Sequence, residues 1–284
     1  QFSICSRKKR KMRLEENQMS KRITFQFEDD LDYQMQAIHS TVELFRGLSR
    51  HVDGIYRPNR IRKVGEGDPV RNNDIVVGSR LLENLRKVQL SNDLFADNVL
   101  ADGNNFTIEM ETGTGKTYVY LRTILELYQE YGFRKVMIVV PSIAIRKGVE
   151  KSMEQLADHF KRLYNIDIGK HSFIYDSKNP KQISSKLVES NDLSICVLNI
   201  QAFNKDTNIL RKTDEYEQNL WEDIKYIKPI VIIDEPQKIE GTKKKKSKSL
   251  VAIEELKPLF TLRYSATHKQ LYNQIYKLDS FAAY

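Results

Sequence analysis

The chain has 284 residues, 40% of them apolar, and its 46 lysines and arginines outweigh 38 aspartates and glutamates to give a formal charge of +8. That is enough apolar material for one large domain or two modest ones; no run approaches the roughly eighteen apolar residues of a membrane span and no signal-peptide core opens the chain, so a cytoplasmic protein without a membrane partner is expected. Two cysteines, Cys5 and Cys196, are too few for a disulfide framework, and the five histidines lie too far apart in sequence to suggest a transition-metal site.

In chain order, residues 7–13 (RKKRKMR) carry six cations, and a later run at 243–248 (KKKKSK) carries five; without those eleven the remaining charge is −3. The positive charge is therefore local, and both runs read as solvated segments. Residues 1–21 are expected to be a disordered basic tail, with the first eighteen a candidate non-native leader. Residues 22–100 read as an N-terminal helical segment with an insertion. Within it, 31–48 (LDYQMQAIHSTVELFRGL) is apolar at helical spacing, 53–74 is rich in Gly, Pro, Asn and Arg, and 79–90 is a second helix through Leu81, Leu85 and Val88.

From residue 101 onward the pattern changes to alternating strands and helices. A short strand at 105–110 leads into a helix at 117–131, which places Leu121, Ile124, Leu125 and Tyr128 on one side and has Gly132 to end it. The run VMIVV at 136–140 reads as a strand buried on both faces and is stopped by Pro141. Ser142 can cap the next helix, whose Val149, Met153, Leu156 and Phe160 share a face. Strands are expected again at 172–175, 195–200, 230–233 and 261–264, with helices at 183–188 and 250–256. This rhythm predicts an α/β fold for residues 101–284, with a mostly parallel sheet covered by helices on both faces.

Three short motifs carry the chemistry. The first, EMETGTGKTYVY at 109–120, sits between a strand and a helix. Thr112, Gly113, Thr114, Gly115, Lys116 and Thr117 match the last six positions of the phosphate-binding loop, with Met110 where the pattern has its leading glycine. The glycines would let backbone N–H groups turn around phosphate oxygens, Lys116 would reach the β- and γ-phosphates, and Thr117 would offer its hydroxyl to Mg²⁺. Taken alone, the loop leaves open a glycine-rich turn without a ligand. The second motif, PIVIIDEPQ at 229–237, ends a buried strand on two acids. Ligands of a parallel sheet bind at that carboxyl edge, where Asp234 would hold Mg²⁺ and Glu235 would orient or deprotonate an attacking water. Third comes LRYSATH at 262–268, informative only through its order after the other two.

GTGKT, DEPQ and SAT in that order resemble superfamily 2 helicase-like motors. The longer wording, EMETGTGKTYVYLRTI, KVMIVVPSIAIRKGV, PIVIIDEPQ and PLFTLRYSATH with YQMQAI upstream, resembles the restriction (Res) subunit of type III restriction-modification enzymes. The resemblance runs from about residue 22 to the C-terminus, and in that family methionine also occurs at the first loop position. It implies a RecA-like P-loop NTPase lobe that uses ATP and Mg²⁺ to move on double-stranded DNA. It also implies a methyltransferase (Mod) partner that reads the site and, in the full protein, endonucleolytic cleavage. It assigns Gln34 to adenine, Pro141, Ser142 and Arg146 to the DNA backbone, and Gln237, Ser265, Ala266 and Thr267 to coupling nucleotide state to DNA contact. The second motor lobe and the nuclease domain are expected to lie beyond residue 284, so the chain is expected to bind Mg-ATP, hydrolyse it slowly if at all, and leave DNA uncut. Glu255 and Lys257, an E-x-K pair of the kind such nucleases use, read as surface charge. A type I restriction motor, a repair helicase, or a nucleotide-responsive binding module without turnover stand as alternatives.

Overall fold

The computed structural model describes residues 31–48, 50–51, 69–72, 74–75, 79–100, 103–205, 207–212, 220–242 and 245–278. The tail with its basic run, Cys5, most of the 53–74 insertion and Lys243 and Lys244 lie outside them.

Seven strands form the main sheet: β1 (Asn105–Glu109), β2 (Lys135–Val140), β3 (Ser172–Ile174), β4 (Ser194–Asn199), β5 (Ile230–Asp234), β6 (Thr261–Ser265) and β7 (Gln274–Lys277). Their order is β7-β1-β6-β5-β2-β4-β3, and every pairing is parallel. One strand, β6, thus separates the strand that feeds the phosphate-loop sequence from the strand that ends on Asp234. The helices used below are α1 (Asp32–Glu43), α2 (Ser79–Ser91), α3 (Lys116–Tyr131), α4 (Ile143–Tyr164), α5 (Leu220–Tyr226) and α6 (Lys248–Glu255).

The continuous apolar strands follow from burial on both faces. In β2, Val136, Ile138 and Val140 enter one core while Met137 and Val139 enter the other. The first core is covered by α1 to α4, with Ile38, Leu85, Leu121 and Phe160 among its members; the second is covered by α5 and α6, with Trp221, Ile224, Ile253 and Leu256. Helices α1 and α2 come from the segment upstream of residue 100, yet Ile38, Phe45, Leu81 and Leu85 pack in the same core as Phe106 and Leu262. This is an α/β P-loop lobe, RecA-like in its covered parallel sheet.

Local chemistry sets the element ends. Gly132 takes a left-handed conformation (φ 69°) and its N–H caps the Tyr128 carbonyl, which closes α3 as its sequence predicts. Ser142 caps α4 through Ile145 N–H at 3.3 Å. The expected helix at 183–188 is instead a π-helical turn. Strand β7 (QIYK) was not foreseen: it pairs with β1 across a register shift and buries only Ile275 and Tyr276 in its interior.

Candidate nucleotide and coupling site

Met110 leaves β1 fully buried, and its N–H donates to Ser265 O at 2.9 Å, so the first loop position is a core position that an apolar side chain fills. The chain then turns through Gly113 (φ 88°) and Gly115 (φ 83°), conformations that L side chains resist. Thr114 Oγ1 donates to Glu111 O at 2.7 Å, and Lys116 Nζ lies 3.3 and 3.2 Å from the carbonyls of Met110 and Glu111. The loop opens α3 at Gly115, so its N–H groups and the positive end of the helix face the same space.

That space is a cavity of about 640 Å³ lined by Thr112, Gly113, Gly115, Lys116 and Thr117, and by Asp234, Glu235 and Lys238 from the end of β5. Tyr118 and α4 supply its remaining wall. Asp234 is only 7% exposed; burial first, and then the neighbouring Glu235, push its carboxyl up to about 6, against the pull of Lys116 and Lys238. Glu235 adopts a left-handed backbone (φ 57°), with its N–H on Tyr264 O at 3.1 Å. Such a conformation at a non-glycine residue persists when the surroundings fix it, as the adjoining Pro236 turn and β6 do here.

A hydrogen-bonded chain leads from the acids to β6. Gln237 Nε2 donates to Glu235 Oε2 at 2.6 Å, the Ser265 hydroxyl donates to Gln237 Oε1 at 2.7 Å, and Thr267 N–H donates back to Ser265 Oγ at 3.2 Å. Ala266 lies between them, half-buried. Glu235 is thereby joined to the loop after β6 by a continuous run of hydrogen bonds.

Two sets of predicted residues stand elsewhere. Gln34, buried at 7% exposure, donates from Nε2 to Thr114 O at 2.9 Å, bracing the phosphate loop from α1 and standing outside the cavity lining. Arg146 lines a separate cavity of about 470 Å³ with Tyr175, Asn199, Gln201 and Asn208. Pro141 contributes its carbonyl to Gln201 Nε2 at 3.2 Å, while the Ser142 side chain serves the helix cap.

A family model described as "Type III restriction enzyme, res subunit" matches residues 29–270. The chain belongs to this family. Among curated relatives, the Res subunit of the EcoP15I enzyme of Escherichia coli is 29% identical over 224 residues, covering 71% of this chain and 22% of that protein. The EcoPI Res subunit of Escherichia phage P1 is 25% identical over 283 residues, covering 92% of this chain and 28% of its own length. The chain thus spans about a quarter of the length of these relatives. Among solved structures, the SWI2/SNF2 ATPase core of Sulfolobus solfataricus in complex with dsDNA shares 16% identity, with 73% of this chain and 35% of that one covered and a TM-score of 0.39.

Within this Res-family lobe, the donor set can be compared with what Mg²⁺ takes. No group of three or more His, Cys, Asp and Glu side chains gathers among the described residues. One buried carboxylate, one threonine hydroxyl and an open cavity remain, which fits an ion held by one or two carboxylates plus phosphate oxygens and water. Sequence reading missed other groups here. His268 Nε2 lies 3.2 Å from Ile108 O; burial lowers its pKa, and Glu235 and Lys116 stand near enough to act on it. Asn199, whose buried Oδ1 has no hydrogen-bond partner among the described residues, lines the Arg146 cavity. The signal for His268 was its place directly after SAT; nothing in the sequence singles out Asn199. No helix among the described residues is long and apolar enough to cross a membrane.

Proposed function

We propose that this Res-family lobe binds Mg-ATP in the cavity between the phosphate loop and the DEPQ turn and couples its hydrolysis to movement on double-stranded DNA. The observation that carries the reading is the hydrogen-bonded path from Glu235 through Gln237 to Ser265, which links an ATPase acid to a loop outside the cavity. Mg²⁺, held by Asp234 and Thr117, would neutralise charge on the β- and γ-phosphates. Lys116 would exchange its two loop carbonyls for phosphate oxygens. Glu235 would accept the proton of the attacking water, and its rigid backbone would keep that carboxylate aimed. Gln34 would connect adenine recognition to the loop through Thr114.

Arg146, with Pro141 and Ser142 at the same sheet edge, would meet the DNA backbone. Helices α1 and α2 would act as one body with the sheet and helices that follow them, since they share a core. In the full-length protein the motor would serve endonucleolytic cleavage with a methyltransferase (Mod) partner.

The test is phosphate release with and without duplex DNA, for wild type, Lys116→Ala and Glu235→Gln. Release above both variants, raised by DNA, is expected. Wild-type release no higher than that of the variants, with nucleotide binding retained, would reduce the lobe to a binding module.

A further inference from the structure

One buried side chain beneath the site has no role in that scheme. Tyr120 is fully buried, with its ring in the core under α3, and its hydroxyl has no hydrogen-bond partner among the described residues. Thr117 and Asp234, the two residues that would hold the cation, are the hydroxyl's polar neighbours, near enough to act on it but outside hydrogen-bonding geometry.

Three features of the fold direct it there. Tyr120 lies three residues after Thr117 on α3, so the two side chains share one helix face. Asp234 pairs in register with Tyr264 across β5 and β6, placing both side chains on the α3 side of the sheet. The Tyr120 ring packs against the Tyr264 ring with centroids 5.6 Å apart and an interplanar angle of 62°. The ring is thus wedged in the core beside the strand that presents Asp234, and the hydroxyl is its only polar atom.

A buried hydroxyl without a partner costs about 1–3 kcal/mol, and such groups in native structures call for an explanation. Phenylalanine would fill the same core space without that cost. We infer that Tyr120 is a positioning residue of the cation site, its hydroxyl orienting the Asp234 carboxylate and the Thr117 hydroxyl toward a divalent ion. The inference rests on the Mg-ATP reading above. It assigns Tyr120 no contact with substrate.

Tyr120→Phe keeps the ring and removes only the hydroxyl. Binding of a fluorescent ATP analogue is titrated in EDTA and then against Mg²⁺, with Mn²⁺ binding in the presence of the same analogue followed by electron paramagnetic resonance and Asp234→Asn marking loss of the site. In the variant, the Mg²⁺ and Mn²⁺ concentrations at half-saturation should rise about two- to tenfold, the worth of one hydrogen bond. Affinity in EDTA should be unchanged, and the melting temperature in EDTA should hold or rise, because an unsatisfied polar atom has been removed. An unmoved ion titration in the variant overturns the role of Tyr120 alone. So does a parallel loss of EDTA affinity and melting temperature, which marks a structural hydroxyl. Wild-type binding that ignores Mg²⁺ overturns the Mg-ATP reading, and this inference with it.

Discussion

Gly115 shows how much of the candidate site depends on single atoms. Its φ of +83° already favours glycine, and a Cβ added there would come within 2.5 Å of Gln34 Nε2. Gly115→Ala therefore meets two separate costs, the left-handed backbone at about 1–2 kcal/mol and the displacement of the amide that braces Thr114. We expect Gly115→Ala to lower the urea midpoint and to weaken binding of a fluorescent ATP analogue. Gly115→Ala combined with Gln34→Ala should recover part of the stability, since the clash is gone and the backbone strain remains. Equal stability of the single and double variants would show that the amide moves aside freely. Gly113, by contrast, has nothing within 4 Å of an added Cβ, so alanine there tests backbone strain alone. The glycines and Lys116 were legible in the sequence because the pattern is local. Gln34 reached its place from eighty positions upstream, so its neighbour could be learned only from the fold.

At the scale of elements, β6 is tied to the turn after β5 by charge as well as by Gln237. Arg263 Nε donates to Glu240 Oε1 at 2.6 Å, Nη1 donates to Asn105 Oδ1 at 2.8 Å, and the guanidinium sits 3.9 Å from the Tyr272 ring centroid. The Arg263 and Glu240 side chains are 2% and 5% exposed. Arg263→Met would strand a carboxylate that burial already pushes up, at a cost of about 3–5 kcal/mol. Adding Glu240→Gln should return much of that loss, and urea unfolding of the three proteins measures both steps; an equal loss in the double variant would locate the effect in packing. A second buried cation belongs to β2. Lys135 Nζ donates to Leu187 O at 2.7 Å and to Ser190 O beside the π-helical turn, and burial, followed by Arg134, lowers its pKa to about 7. A neutral amine keeps two N–H donors, as many as these carbonyls accept. Between pH 7 and the ordinary lysine value the unfolded chain holds a proton that the folded chain has released, so stability rises with pH in that window. Lys135→Met should lack that slope in urea unfolding followed from pH 7 to 9.5. A slope identical to wild type would assign it to other groups. The strands themselves were readable as apolar runs. Neither ion was, because Arg263 and Lys135 look like surface charges until the sheet buries them. The composition of 53–74 marks a loop or insertion, yet Asn72 is a buried staple, its side-chain amide donating to Lys135 O and Lys228 O while its oxygen accepts from Arg134 and Lys135 N–H.

For the whole molecule, the order of the sheet decides which parts open last. The alternation of apolar runs indicated a parallel sheet but not its order, which depends on crossovers that leave no local trace. Strands β2, β5 and β6 have a paired neighbour on each side and are buried on both faces, whereas among the described residues β3 pairs only with β4, and β7 only with β1 across a register shift. Amide hydrogen exchange should therefore be slowest in β2, β5 and β6, where exchange requires global unfolding, and faster in β3 and β7, which can open locally. Ligand binding separates those classes. A ligand that binds only the folded lobe slows every globally exchanging amide by the same factor, about a hundredfold at a hundred times the dissociation constant. Saturation with Mg-ATP should thus slow β2, β5 and β6 together while leaving β3 almost unchanged. The response of α1 then decides whether the upstream helices and the lobe form one cooperative unit. If α1 packs as an integral layer, through Ile38, Phe45 and the Gln34 contact to Thr114, its slowest amides will gain the same factor as β5. If they exchange at their ligand-free rate, the segment opens on its own, and the brace on the phosphate loop is released without unfolding the motor.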